Sequence, residues 1–182
     1  MRHIKIIKSI SLIISLFLIT SCSNNSAMKP EDFKGKEPRL IIEEYLSGNV
    51  KAWGVLQNRS GKVIRQFSAD LNGKWEGNQL ILDEKFNWDD GEIQTRQWQI
   101  TKIDENNYEG TAGDVVGKAK GYSYGPAFKF EYVLLVPVKG KEMKITFDDW
   151  IFKQDDRVAI NRAMMKKFGI KVAELTVVFV KD

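Results

Sequence analysis

Residues 79–103 read QLILDEKFNWDDGEIQTRQWQITKI, and their alternation decides the fold. Leu80, Leu82, Phe86 and Trp88 recur at period two, which places side chains on one face of a strand. Glu84 lies in the middle of that face. Asp89-Asp90-Gly91 interrupts the pattern as a three-residue loop, with Gly91 supplying positive φ. Beyond it, Arg96, Trp98 and Ile100 share a face. With that loop length Leu82 falls opposite Trp98, and Glu84 opposite Arg96. A carboxylate and a guanidinium then meet among aromatic and aliphatic neighbours.

Working outward, the same strand–turn rhythm continues on both sides. Lys51–Asn58 and Val63–Leu71 precede the hairpin, divided by Arg59-Ser60-Gly61, and Asn72-Gly73 reads as a turn. Tyr108–Gly113, Val116–Tyr124, Ala127–Val136, Glu142–Lys153, Val158–Lys167 and Lys171–Val180 follow it. Leu40–Leu46 reads equally as a strand or a short helical turn. Ala159–Phe168 has good helix formers, but its flanking turns favour a strand. Tyr132–Val138 reads as a strand buried on both faces. Many short strands at regular spacing argue for an all-β sandwich or barrel in one domain.

A second hairpin repeats the first one's logic. Trp150 and Phe152 share a face with Asp148. A loop at Gln154-Asp155-Asp156 would set Trp150 opposite Ile160 and Asp148 opposite Arg162, with Asp149 facing Asn161 on the other side. Both constructions depend on loop length, because a one-residue slip turns every side chain to the opposite face. The candidate interior residues are therefore Glu84, Arg96, Trp98, Asp148, Trp150 and Arg162. They could fix the head of an otherwise apolar ligand, or serve only as register-setting ion pairs; the sequence leaves both open.

The N-terminus reads as an export signal over residues 1–21. Arg2, Lys5 and Lys8 precede an apolar core, Ile10–Ile19, that is too short to cross a bilayer. Thr20-Ser21-Cys22 then matches a lipoprotein processing site, with Cys22 as the lipidated residue. Ser23 after it favours the outer membrane, facing the periplasm. Residues 22–37 form a tether in which Phe33 is suited to dock, and residues 38–182 form the domain. Processing would remove His3 and modify Cys22, the only histidine and the only cysteine. Cys–His and Ser–His nucleophiles and Cys/His zinc sites are then excluded. Removing the three basic signal residues leaves 25 basic against 24 acidic, so there is no electrostatic case for nucleic acid. Asp89-Asp90 and Asp155-Asp156 lack the spaced series of a calcium loop. The Gly-rich stretch 108–114 is no phosphate loop. No cofactor is expected, and a non-enzymatic role is favoured.

Leu80-x-Leu82-x-Glu84-x-Phe86, Asp90-Gly91, Arg96-x-Trp98, Tyr108-x-Gly110-x-Ala112, Asp148-Asp149-Trp150, Asn161-Arg162 and Lys167-Phe168-Gly169 together resemble an uncharacterised bacterial lipoprotein family, the DUF3833 group. The resemblance implies a lipocalin-like antiparallel barrel. It also implies lipid handling, since members often look like neighbours of fatty-acyl-modifying enzymes. It marks Glu84, Arg96, Asp149, Trp150, Asn161 and Arg162 as family-typical and implies no catalytic residue. The expectation is a membrane-anchored barrel with a fatty-acid-like or other apolar ligand. The alternative is an accessory lipoprotein with a packed core that docks an envelope protein partner.

Overall fold

The computed structural model describes residues 27–138 and 140–182. The expected signal and the lipidation site at Cys22 lie outside the described residues. Ten antiparallel strands close into one barrel. They are β1 Gly48–Asn58, β2 Val63–Glu76, β3 Gln79–Trp88, β4 Ile93–Lys102, β5 Asn107–Thr111, β6 Ala119–Tyr124, β7 Ala127–Val138, β8 Lys141–Lys153, β9 Val158–Lys167 and β10 Ile170–Lys181. Each pairs with the next, and β1 pairs with β10, so the sheet closes on itself.

The hairpin of residues 79–102 has the register its pattern demands, with Leu82 opposite Trp98 and Glu84 opposite Arg96. Leu80, Leu82, Trp98 and Ile100 are all buried inside. Burying each such side chain contributes roughly 1.5–3 kcal/mol, and a one-residue slip would turn all four to solvent. The second hairpin differs from expectation. Trp150 faces Arg162, Asp149 faces Ala163 and Asp148 faces Met164. The cause is Asp155, whose carboxylate accepts from the backbone N–H groups of Arg157 and Val158. Gln154 N–H donates to the Val158 carbonyl, so the loop is Asp155–Arg157 and the ladder shifts by two residues. A shift of two keeps each residue on its face but changes its partner.

One end of the barrel is plugged. Residues 39–47 cross it, with helical turn α1 at Ile42–Tyr45. Leu40, Ile42, Tyr45 and Leu46 are buried. The plug is tied to the wall by hydrogen bonds. The Tyr45 hydroxyl donates to the carbonyls of Arg157 and Phe179, and Ser123 donates to that of Leu40. Lys181 Nζ donates to the carbonyls of Glu44, Tyr45 and Ser47. Glu43 pairs with Lys102 and accepts from the Tyr108 hydroxyl. Burial pushes the Glu43 carboxyl up, but these partners outweigh it and hold it below its ordinary range. Ahead of the plug, Phe33 packs on Trp150 and Phe152 at centroid distances of 6.0 and 5.6 Å, strapping the outer wall.

Asn72-Gly73 is not a turn. β2 continues to Glu76, and the chain reverses at Gly77-Asn78. A Cβ on Gly73 would lie 1.8 Å from the Leu46 carbonyl oxygen, so the glycine makes room for the plug. Tyr132–Val138 is not buried on both faces either; it alternates, and Val138 is exposed. Trp53 is half-exposed on the outer wall.

Gly73→Ala should displace the plug at a cost of about 1–3 kcal/mol, read as a lowered Tm. Gly113→Ala, whose Cβ would meet nothing within 4 Å, serves as the neutral control. Equal Tm values for the two variants would refute the seating of the plug on Gly73.

Candidate functional site

Inward side chains divide the barrel into three levels. Nearest the plug, Leu80, Ile100, Tyr108 and Phe128 pack with Leu40 and Ile42. Nearest the open end, Leu134, Ile145, Phe147 and Ala163 form a second cluster. Aromatic contacts run continuously between them. Tyr108 meets Phe128 (5.5 Å), Phe128 meets Phe130 (5.5 Å), and Phe130 meets Trp98 (5.1 Å). Trp98 meets Tyr132 (5.3 Å), which stacks on Phe147 (5.0 Å). Gly110 allows this column, since a Cβ there would lie 2.5 Å from the Phe130 ring.

Between the levels sits a polar belt. Arg96 reaches Asp114 with two nitrogens, Nε at 3.1 Å and Nη2 at 2.8 Å, a bidentate pair. Its Nη1 lies 3.6 Å from Glu84 Oε2, too far for a hydrogen bond. Oε2 is fully buried and has no hydrogen-bond partner. Across the lumen the Tyr132 hydroxyl donates to Asp149 Oδ2 at 2.9 Å, and Asn161 Nδ2 donates to Oδ1. Asn161 also donates to the Trp150 carbonyl at 3.1 Å. The belt thus holds three carboxyl groups and one guanidinium. Burial disfavours charge, and the Glu84 carboxyl rises to about 7 against the pull of Arg96, with Asp149 and Asp114 adding to the rise. Burial likewise lifts Asp149 to about 6, although Asn161 and Tyr132 oppose it.

The belt borders two connected spaces. A deep cavity of about 110 Å³ lies among Ala52, Leu82, Trp98, Phe130 and Ile151, with Glu84, Arg96, Asp149 and Asn161 on its wall. A wider vestibule of about 380 Å³ opens beyond it, walled by Arg65, Trp88, Leu134, Phe147 and Met165. Phe67, Phe86, Arg96, Tyr132 and Leu175 border both. Small side chains leave this room, notably Ala52 opposite Ala69.

The wall beside the belt is a seam. β5 pairs only with Gln99–Lys102 of β4, so the start of β4 has no strand neighbour on that side. Residues 114–116 fill in along β7, through Val116 N–H to the Val133 carbonyl and Leu135 N–H to the Asp114 carbonyl. From there Asp114 pairs with Arg96, so side chains rather than a ladder close this stretch.

Of the expected interior residues, Glu84, Arg96 and Trp98 meet inside. Asp148, Trp150 and Arg162 do not. All three are on the outer face, because Ile145, Phe147, Asp149 and Ile151 take the inner one. Trp150 is buried by the strap and by Phe152, while Asp148 pairs with Lys166 at 3.2 Å. Arg162 pairs with Glu174 at 2.5 Å. Counting aromatics picked the wrong face of this hairpin; the signal available was the polar pair Asp149 and Asn161. Tyr132 continues the period-two run of Phe128 and Phe130, so its inward face was readable, whereas Asp114, outside any strand, carried no such signal. Among the described residues no group of Asp, Glu, His or Cys could hold a metal ion.

Fold and interior together define a lipocalin-like barrel with a polar belt inside an aromatic lumen. The chain belongs to the family described as "Protein of unknown function (DUF3833)", whose sequence model matches residues 16–181. No curated protein matches it. Two solved structures share the fold. The S-type phycobiliprotein lyase CPES from Guillardia theta has a TM-score of 0.59 at 10% identity, covering 79% of this chain and 94% of that one. A protein of unknown function from the DUF3598 family of Nostoc punctiforme has a TM-score of 0.61 at 16% identity, covering 81% of this chain. This chain spans about half of it, 51%.

Glu84 gives the belt a measurable signature. Its folded value, about 7, is above its ordinary 4.5, so the folded protein holds a proton that the unfolded chain releases. The resulting stability is full below about pH 4.5 and is lost as pH rises through about 7. Relative to wild type, Glu84→Gln should therefore gain stability from pH 5 to pH 8, on the order of 3 kcal/mol. Parallel Tm curves for the two proteins would show that Glu84 is not buried as described.

Proposed function

We propose that this chain is an envelope lipoprotein, anchored through Cys22 at the outer membrane, whose barrel holds an elongated apolar ligand such as a single acyl chain. The observation that carries the reading is the aromatic lumen: a closed floor, an open vestibule and one polar belt between them. Pockets for small molecules have this make-up, mostly apolar with a few polar groups that fix orientation. An anchor at Cys22 would keep the barrel beside a source of lipid. Native mass spectrometry of gently purified protein should find a bound mass, and the neutral probe N-phenyl-1-naphthylamine should brighten on binding. Ala52→Leu, which fills the deep cavity, should reduce probe binding at least tenfold while the barrel still unfolds cooperatively. A wild-type protein that carries no mass and binds no probe would end the proposal.

One observation favours a second reading, an accessory lipoprotein that docks a protein partner. Phe168 is 92% exposed at the tip of the β9–β10 turn, in left-handed backbone (φ 51°) that a bulky residue seldom adopts. Val63, Ile64, Ile93 and Ile170 are also exposed at that end. Phe168→Asn should raise Tm slightly by relieving the backbone. A photocrosslinker at position 168 should capture one dominant envelope protein in cells. An empty lane would count against this reading.

A further inference from the structure

We infer that the polar belt recognises a ligand end that donates hydrogen bonds, a hydroxyl or an ammonium, and rejects a carboxylate. The inference rests on the apolar-ligand reading above and specifies the head group. Three observations carry it. First, Glu84 Oε2 is a fully buried acceptor without a donor, and Glu84 stands on the wall of the deep cavity. An unpaired buried acceptor costs free energy that a donor on the ligand would recover. Second, the belt's only cation is occupied. Arg96 spends Nε and Nη2 on Asp114 and directs Nη1 towards Glu84. Third, Tyr132 and Asn161, on the facing wall, both donate to Asp149. Where Glu84 is ionised, an incoming carboxylate would meet three carboxyl groups, and the donors left to it, Arg96 Nη1 and the Trp98 indole N–H, both lie towards Glu84; like charges in a buried site repel strongly.

The other interior cation does not alter this balance. Arg65, at the vestibule, is shared between Asp90 at 2.7 Å and Glu92 at 2.9 Å and stacks on Trp88. Its Nε has no partner, but it belongs to the vestibule and not to the deep cavity.

The test compares three ligands of one chain length, decanol, decylamine and decanoate, by displacement of N-phenyl-1-naphthylamine from the purified full-length chain at pH 8. Decanol and decylamine should displace the probe at concentrations at least tenfold below decanoate. Glu84→Gln, which replaces one acceptor oxygen with a donor, should narrow the gap to within about threefold. The ranking is read on wild-type protein, so the inference stays falsifiable even if that variant does not fold. Decanoate binding as tightly as decanol would overturn the head-group inference and leave the apolar-ligand reading standing. A folded Glu84→Gln protein with the ranking unchanged would also overturn it. If the probe and all three ligands fail to bind, both readings fall together.

Discussion

Burying ionisable groups in the middle of an apolar lumen is the constraint to which the rest of this barrel answers. Arg96 can be desolvated only because Asp114 takes two of its nitrogens and Glu84 lies beside a third. That arrangement requires β3 and β4 in one register. It requires the loop after β5 to reach back to β4 rather than extend the strand. It also requires large aromatic neighbours, whose rings fit only because Gly110 carries no side chain. Glu84 remains the imperfect member: burial raises it to about 7, and the Arg96 guanidinium, shared with Asp114, offsets only part of that.

The plug and the belt respond to pH in opposite directions. Glu43 in the plug is held below its ordinary range by Lys102 and Tyr108, so the stability it contributes is lost as pH falls through its folded value. Glu84 and Asp149 in the belt are raised by burial, so theirs is lost as pH rises. The floor is built on a satisfied ion pair, and the lumen above it on carboxyl groups that are partly unsatisfied. The satisfied floor and the partly unsatisfied lumen are thus separated along one barrel axis.

Much of this fold was legible because strand alternation and glycine-bearing turns are local signals. Nine of the ten strands lie within three residues of where period-two runs and turn residues put them, and β2 runs five residues past its expected end at Leu71. The first hairpin could be read to the residue pair because Asp89-Asp90-Gly91 has a length that its chemistry fixes. The second could not, since Asp155 capping two backbone donors is one of several ways to close Gln154–Val158. Choosing its inward face failed for a different reason. Trp150 and Phe152 look like core, but the segment carrying Phe33 covers them from outside. Gly73 misled in the same way, because a contact distant in sequence, with Leu46, explains it. Asp114 joins the belt through a tertiary contact with Arg96 that no local pattern announces.

The strap has a further geometric meaning. Phe33 and Lys36 run past Gly125, in the turn between β6 and β7 at the plugged end. The strap therefore lies at the base of the barrel, while the vestibule opens at the opposite pole. Strands of the length of β8, 13 residues and tilted as barrel strands are, separate those poles by about 30 Å. A load on the segment carrying Phe33 acts on the floor, and the opening lies a full barrel length away. The molecule is polar in the mechanical sense: the strap and the opening belong to opposite poles.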